Sequence, residues 1–211
     1  MERTVLVTGG TVRLGAAIAA RLAADGWRVV ACSHRADAGA DVVADLSRPG
    51  GAEALFASAV SLLGGRAPDA LVNNAALFAG EPDALESVNF AAPAALAALM
   101  AGHGGECVVN VLDCRVLASG FRPATPYEAT KARLLARTLE DARRFAGRMR
   151  VNAVAPGPVL VPVSVREKAG ECPFGRPSPE SVADAVAFLL SARATSGCVV
   201  PVDGGQLLSR S

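Results

Sequence analysis

In the stretch YEATK, Tyr127 and Lys131 stand four residues apart, which on a helix puts them on one face, a turn from each other. A free tyrosine has a pKa of about 10, too high for ready proton exchange at neutral pH. A neighbouring ammonium favours the phenolate and brings that value down. The pair therefore reads as a proton donor with its electrostatic partner, although the same spacing also serves an ordinary amphipathic helix. Asp113 closes the apolar run ECVVNVLD. A carboxylate accepts hydrogen bonds or relays a proton, so it suits a substrate that presents N–H groups or an imine-like C=N and would repel an acidic ketone. The plainer reading is a strand-end aspartate capping the loop that follows. Asn89 sits in an alanine-rich helical stretch, where a polar side chain is costly. Pro93, four residues on, lacks the N–H that would bond the Asn89 carbonyl, so a helix bend is one reading.

These residues need elements to position them. TVLVTG, WRVVACS, DALVNNA, ECVVNVLD, RMRVNAVAPG and GCVVPVDGG are apolar runs, with one further short strand ahead of Asp45. Between them LGAAIAARLAADG, GAEALFASAVSLLGG, DALESVNFAAPAALAALMAG, YEATKARLLARTLEDARRFAG and ESVADAVAFLLSA carry apolar residues at helical spacing. Gly26 ends the first as a natural C-cap. Continuous apolar strands need cover on both faces. Strict alternation of strand and helix predicts an α/β fold, a Rossmann-like doubly wound parallel sheet of about seven strands. No linker or repeat breaks residues 1–211, so one domain is expected. Ligands of such sheets bind beyond the carboxyl ends of the strands. One rim then collects Thr8-Gly9-Gly10, Ser33-His34-Arg35, Asn73-Asn74-Ala75, Asp113 and Pro156-Gly157.

The turn VLVTGGTVRLG lies between a strand and a helix. Glycines there let backbone N–H groups approach a pyrophosphate at the helix N-terminus. Gly9, Thr11, Leu14 and Gly15 fit that role, Gly15 by permitting close helix packing, while Arg13 stands where most such turns carry another glycine. At the end of the second strand an unphosphorylated dinucleotide wants a carboxylate for its ribose hydroxyls. This chain has Ser33, His34 and Arg35, with no acid until Asp37. A hydroxyl and a cation suit a 2′-phosphate, so the cofactor read here is NADP(H), unless Arg35 is only a solvated loop charge. Asp45 and Leu46 would flank the adenine. Asn74, Ala75, Pro156, Gly157 and Val159 complete the cofactor rim, and Lys131 would hold the nicotinamide ribose.

A net charge of +1 without any Lys/Arg block offers no surface for nucleic acid. Apolar residues never run long enough to span a bilayer, and Met1-Glu2-Arg3 leads into a strand rather than a signal peptide. Five cysteines without paired spacing and two histidines give no metal site. The expectation is reduced thiols in a cytoplasmic protein that acts on a small molecule.

TGGTVRLG, NNAA, Asn89, YEATK, PGPV and PVDGG recur in the order seen in short-chain dehydrogenases/reductases, and the resemblance covers essentially the whole chain. Within that family the chain resembles the pteridine reductase branch most. It is similar there in Thr-Gly-x-x-x-Arg-x-Gly, in Asp113 at the position of the family's usual catalytic serine, and in Phe78, where that branch has an aromatic ring that stacks on a pterin. The resemblance implies a catalytic set of Asp113, Tyr127, Lys131 and Asn89, the last retaining a water that relays protons to Lys131. It also implies a substrate pocket of Arg13, Phe78, Asp113 and Tyr127, with Arg13 reaching over both the pyrophosphate and the pocket edge. Ala76 and Leu77 depart from the branch by making the wall less polar. The expected lid from Val159 to Pro179 is short and carries Pro162, Pro173 and Pro177.

The function so read is NADPH-dependent reduction of a pterin or similar flat N-heterocycle. An ordinary carbonyl reductase and a non-catalytic NADP(H)-binding sensor are the alternatives. Alanine- and leucine-rich helices around Asn89–Met100 and Tyr127–Phe145, together with the resemblance, imply a homotetramer, a dimer of dimers.

Overall fold

Side chains on successive strand residues point to opposite faces. Thus Leu6 enters one core while Val5 and Val7 enter the other, all three fully buried. A strand apolar at every position is stable only inside a three-layer stack, and the computed structural model, which describes residues 2–159 and 172–209, has that architecture. Strands β1 (Thr4–Thr8), β2 (Arg28–Ser33), β3 (Val42–Val43), β4 (Ala70–Asn73), β5 (Cys107–Val111), β6 (Arg150–Pro156) and β7 (Val199–Val202) are hydrogen-bonded in parallel in the order β3-β2-β1-β4-β5-β6-β7. Helices α1 (Arg13–Ala24) and α6 (Pro179–Ser191) pack together over one face. Over the other lie α2 (Gly51–Leu62), α4 (Ala92–Gly102) and α5 (Pro126–Arg144). The chain winds outward from β1 to β3 and then returns to β4, so a crevice opens at the carboxyl ends of β1 and β4.

The helical stretch before β5 is interrupted. A short α3 (Pro82–Glu86) runs into a π-helical turn at Ser87–Ala91 before α4 continues. Pro93 removes the donor for the Asn89 carbonyl and its ring crowds the preceding turn, which widens in response. By length and composition Pro82–Gly102 could cross a membrane, which departs from the expectation drawn from apolar run length. Here it packs on β4, α2 and α5, with Leu96 and Met100 fully buried, as a core helix does.

Two caps fix the ends that matter for the site. Thr125 caps α5 by accepting a hydrogen bond from Glu128 N (3.2 Å), and Pro126 fills the first helical position, where no N–H is needed. Arg150, at the start of β6, closes α6: its Nη1 donates to the carbonyls of Leu189 (2.8 Å) and Ala192 (3.0 Å) and its Nη2 to that of Leu190 (2.8 Å). These are carbonyls a helix end otherwise leaves without partners. Residues 160–171 of the expected lid, Pro162 among them, lie outside the described residues. Its downstream part is tied back, Phe174 N donating to Gly204 O (2.9 Å) and Arg176 to Pro158 O.

Candidate active site

The glycine turn is closed by a cross-brace between two strand ends. Thr8 Oγ1 accepts from the backbone of Asn74 and Ala75 (3.0 Å each), and Asn74 Nδ2 donates to the carbonyls of Thr8 (3.0 Å) and Gly9 (3.1 Å). Gly9 has φ +62°, and a Cβ on Gly15 would fall 1.9 Å from Gly9 O and 2.6 Å from Asn74 Nδ2. No side chain fits at position 15, and the backbone of the turn lies bare. Helix α1 has Val12 at its N-cap, with no capping side chain and no acid in its first turn. Among the described residues the N–H groups of Arg13, Leu14 and Gly15 have no protein acceptor. An uncapped helix N-terminus of this kind binds phosphate, so the turn fits a dinucleotide pyrophosphate. Thr11 is half-buried beside it, and Leu14 packs into the core beneath α1.

Arg13 takes φ +52°, alone among the described non-glycine residues in the left-handed region. That backbone suits the glycine usual at this position and costs an arginine about 1–2 kcal/mol. Its guanidinium is exposed and makes no hydrogen bond or ion pair among the described residues.

At the end of β2, Ser33 is buried, its Oγ accepting from Arg35 N (3.1 Å), and His34 is exposed. Arg35 grips Asp37 with Nε and Nη2 (2.9 and 2.7 Å), which raises the guanidinium pKa and lowers that of the carboxyl. Both side chains lie in solvent, where such a pair is screened and easily exchanged. Asp45 turns its carboxylate back on Ser47 and Arg48, and Leu46 is buried in the core. The Asp45 carboxylate stays exposed, its side chain 44% accessible, whereas the Leu46 side chain does not. On the far side of the crevice Pro156 ends β6. Gly157 N donates to Val202 O (3.0 Å), and a Cβ there would sit 2.8 Å from Asp203 Cα. Val159 is half-buried against the α1–α6 core.

The chemistry lies between β5 and α5. Asp113 follows β5 and caps a 3₁₀ turn, Cys114–Leu117. Tyr127 Oη donates to Asp113 Oδ2 at 3.3 Å, and Lys131 Nζ donates to Val111 O at 2.7 Å, with its ammonium 6.0 Å from the tyrosine ring centre. The geometry brings the three residues together, but the electrostatics differ from the expectation for the phenol. Burial first, and then the Asp113 charge, push the Tyr127 phenol above its ordinary value. Burial pulls Lys131 down to about 8, against a smaller opposing pull from Asp113. Helical spacing placed the ammonium near the ring; desolvation, which spacing does not reveal, outweighs it.

Two residues at this centre carried no signal when read singly. Arg115 closes on Asp113 with Nε on Oδ1 (3.0 Å) and Nη2 on Oδ2 (2.9 Å), while its backbone N–H adds a third bond (3.0 Å). Its Nη1 donates to Glu128 Oε1 (2.7 Å), and Glu128 Oε2 accepts from Ala124 N (2.8 Å). Burial would raise the Asp113 carboxyl, but Arg115 outweighs it and holds the group below the usual carboxylate range. The readable signal for Glu128 was the Thr-x-x-Glu pattern of a helix start at 125–128.

Asn89, fully buried, uses its side chain on protein: Oδ1 accepts from Leu77 N and Nδ2 donates to Leu77 O (2.8 Å each), with Thr130 Oγ1 at 3.1 Å. It staples the loop after β4 to the π-turn. That staple presents Phe78, 68% exposed, with its ring stacked on Tyr127 at 4.7 Å between centroids and 28° between planes.

A family model described as Enoyl-(Acyl carrier protein) reductase matches residues 12–206. The 3beta-hydroxysteroid dehydrogenase 1 of Eggerthella lenta is 31% identical over 98% of this chain and 94% of its own length. Among solved structures, the FolM alternative dihydrofolate reductase 1 of Brucella canis, complexed with NADP, is 30% identical with a TM-score of 0.84, covering 98% of this chain and 94% of that one. The 3-alpha-hydroxysteroid dehydrogenase of Pseudomonas sp. B-0831, complexed with NADH, is 27% identical with a TM-score of 0.84, covering 99% of both chains. With the parallel sheet, the bare glycine turn and the Tyr127–Lys131 pair on one rim, these matches make the chain a member of the short-chain dehydrogenase/reductase family of oxidoreductases.

Proposed function

We propose that the protein is an NADPH-dependent reductase of a pterin or a similar flat N-heterocycle. The observation that carries this reading is the Asp113 carboxylate in contact with the Tyr127 hydroxyl, beside an exposed aromatic ring stacked on that phenol. A carboxylate offers acceptors to ring N–H groups, and the Phe78 face offers a flat ring a partner. The likeness to the dihydrofolate reductase of Brucella canis supports it.

Gly9, Thr11, Arg13, Leu14 and Gly15 would hold the pyrophosphate, Ser33, His34 and Arg35 the 2′-phosphate, and Lys131 the nicotinamide ribose. The cofactor, when bound, supplies a hydride. Tyr127 gives its proton to the substrate nitrogen, and the Lys131 ammonium offsets the phenolate left behind. All four acceptor positions of Asp113 are engaged: two by Arg115 on Oδ1, one by Arg115 on Oδ2 and one by Tyr127. The tyrosine contact, at 3.3 Å, is the longest of the four. A substrate N–H therefore displaces that contact and turns the phenol toward the substrate. We further infer a cytoplasmic homotetramer; a monomeric mass by light scattering would contradict the assembly.

NADPH oxidation tested against dihydropterins, dihydrofolate, quinones and simple ketones decides the substrate class. The second reading, a carbonyl reductase, is favoured by the hydroxysteroid dehydrogenases among the relatives and expects turnover on cyclic ketones alone. For the cofactor, Arg35→Ala should reduce the preference for NADPH over NADH about 10- to 100-fold, the worth of a lost charge-assisted hydrogen bond. Equal preference in the variant and the unmodified protein would remove Arg35 from the 2′-phosphate site.

A further inference from the structure

Arg115 neither gives nor takes a proton in this chemistry, yet its guanidinium meets three residues of the site. It binds both oxygens of Asp113, reaches Glu128 at the start of α5, and lies 5.9 Å from the Tyr127 ring centre. We propose that Arg115 is the positioning residue that fixes the Asp113 carboxylate as an oriented anion, with Oδ2 on the Tyr127 hydroxyl. Of these two groups Tyr127 is then the proton donor, and Asp113 acts as an acceptor that selects substrates bearing N–H groups. The inference rests on the reductase reading above and deepens it.

The geometry supports this in three ways. Fork-to-carboxylate pairing fixes direction as well as charge, which a lysine's point charge does not. The carboxylate is nearly buried, its side chain 15% exposed, so without a cation it would be driven toward the neutral acid. A neutral Asp113 would be a second proton donor 3.3 Å from the first. Arg115 is also held from behind, because its second partner, Glu128, is itself anchored by Ala124 N and by the Thr125 cap at the start of α5. The charged or titratable groups facing Asp113 and Tyr127 are Arg115 and Cys114 from the 3₁₀ turn and Glu128 and Lys131 from α5.

Tyr127 is the only tyrosine in the chain. With tyrosine isotopically labelled at the ring carbon that bears the hydroxyl, it yields one NMR resonance, whose position follows ionisation of the carboxylate it touches. In the unmodified protein that resonance should show its carboxylate step below about pH 4. In Arg115→Gln the step should move up by about one to three pH units, the usual effect of an arginine on a neighbouring aspartate. The acid limb of kcat/KM should move with it while the KM for NADPH holds. Arg115→Lys should return the step toward its original position and recover kcat only in part, because charge is restored without the fork. Glu128→Gln, which leaves the Arg115–Asp113 pair in place, should leave the step where it was, and with Arg115→Lys it keeps the test open if Arg115→Gln does not fold. An unmoved step in Arg115→Gln, a uniform loss of rate with no shift of the acid limb, or a Glu128→Gln step that moves like that of Arg115→Gln would overturn the proposal. If the unmodified protein reduces no substrate, the reductase reading fails separately, while the titration of the resting protein still decides what Arg115 does to Asp113.

Discussion

Replacing Tyr127 by phenylalanine is expected to lower NADPH-dependent turnover by about 10²- to 10⁴-fold, the range for a lost general acid, with fold and NADPH affinity nearly unchanged. Among the described residues the hydroxyl makes one hydrogen bond, the 3.3 Å bond to Asp113, and that carboxylate keeps three bonds from Arg115 when the hydroxyl is gone. No buried acceptor is left without a partner, so the stability cost should stay within about 1 kcal/mol. The ring, packed against Phe78, is retained. Thermal unfolding and NADPH titration check the first part, steady-state kinetics the second. Turnover within a few-fold of the unmodified protein would take Tyr127 out of the mechanism.

Asp113→Ser should separate the two substrate classes. Serine is too short to receive the Arg115 fork, and it replaces an acceptor by a hydroxyl that can donate to a carbonyl oxygen. Reduction of a dihydropterin should then fall about 10- to 100-fold in kcat/KM, as expected for one lost charge-assisted hydrogen bond. Slow reduction of a simple ketone should persist or rise. Arg115 keeps its bond to Glu128 in this variant, so the start of α5 should survive. Parallel losses on both substrates would leave Asp113 as a scaffold residue and remove the support it gives to a nitrogen-rich substrate.

What could be read from the sequence was whatever depends on short range. Unbroken apolar runs separated by helical spacing showed a covered parallel sheet, and all seven strands lie where those runs fall, even β3 with its two residues. Tyr127 and Lys131 share a helix face because four residues make about one turn. Pro93 foretold a bend, though not that it would take the form of a π-turn. What could not be read depends on residues far apart in the chain meeting in space. Arg115 lies two residues from Asp113 but thirteen from Glu128, and its role exists only because the 3₁₀ turn after β5 meets the start of α5. Asn89 stood out by its polarity, but spacing does not show that its amide meets Leu77, twelve residues away across a loop. The same holds for Tyr127: spacing shows the ammonium, and only the folded chain shows the burial and the neighbouring carboxylate that raise its phenol when no cofactor charge is beside it. Arg13 was legible as an anomaly, since an arginine in a glycine position has to accept a left-handed backbone, and it does.

The most direct single test is the rate at which the unmodified protein consumes NADPH with a dihydropterin, set beside the rate with a cyclic ketone under the same conditions. The expected result is NADPH consumption matched mole for mole by tetrahydropterin formed, with a kcat/KM well above that for the ketone. Turnover of the ketone with none of the dihydropterin would contradict it and leave an ordinary carbonyl reductase in its place.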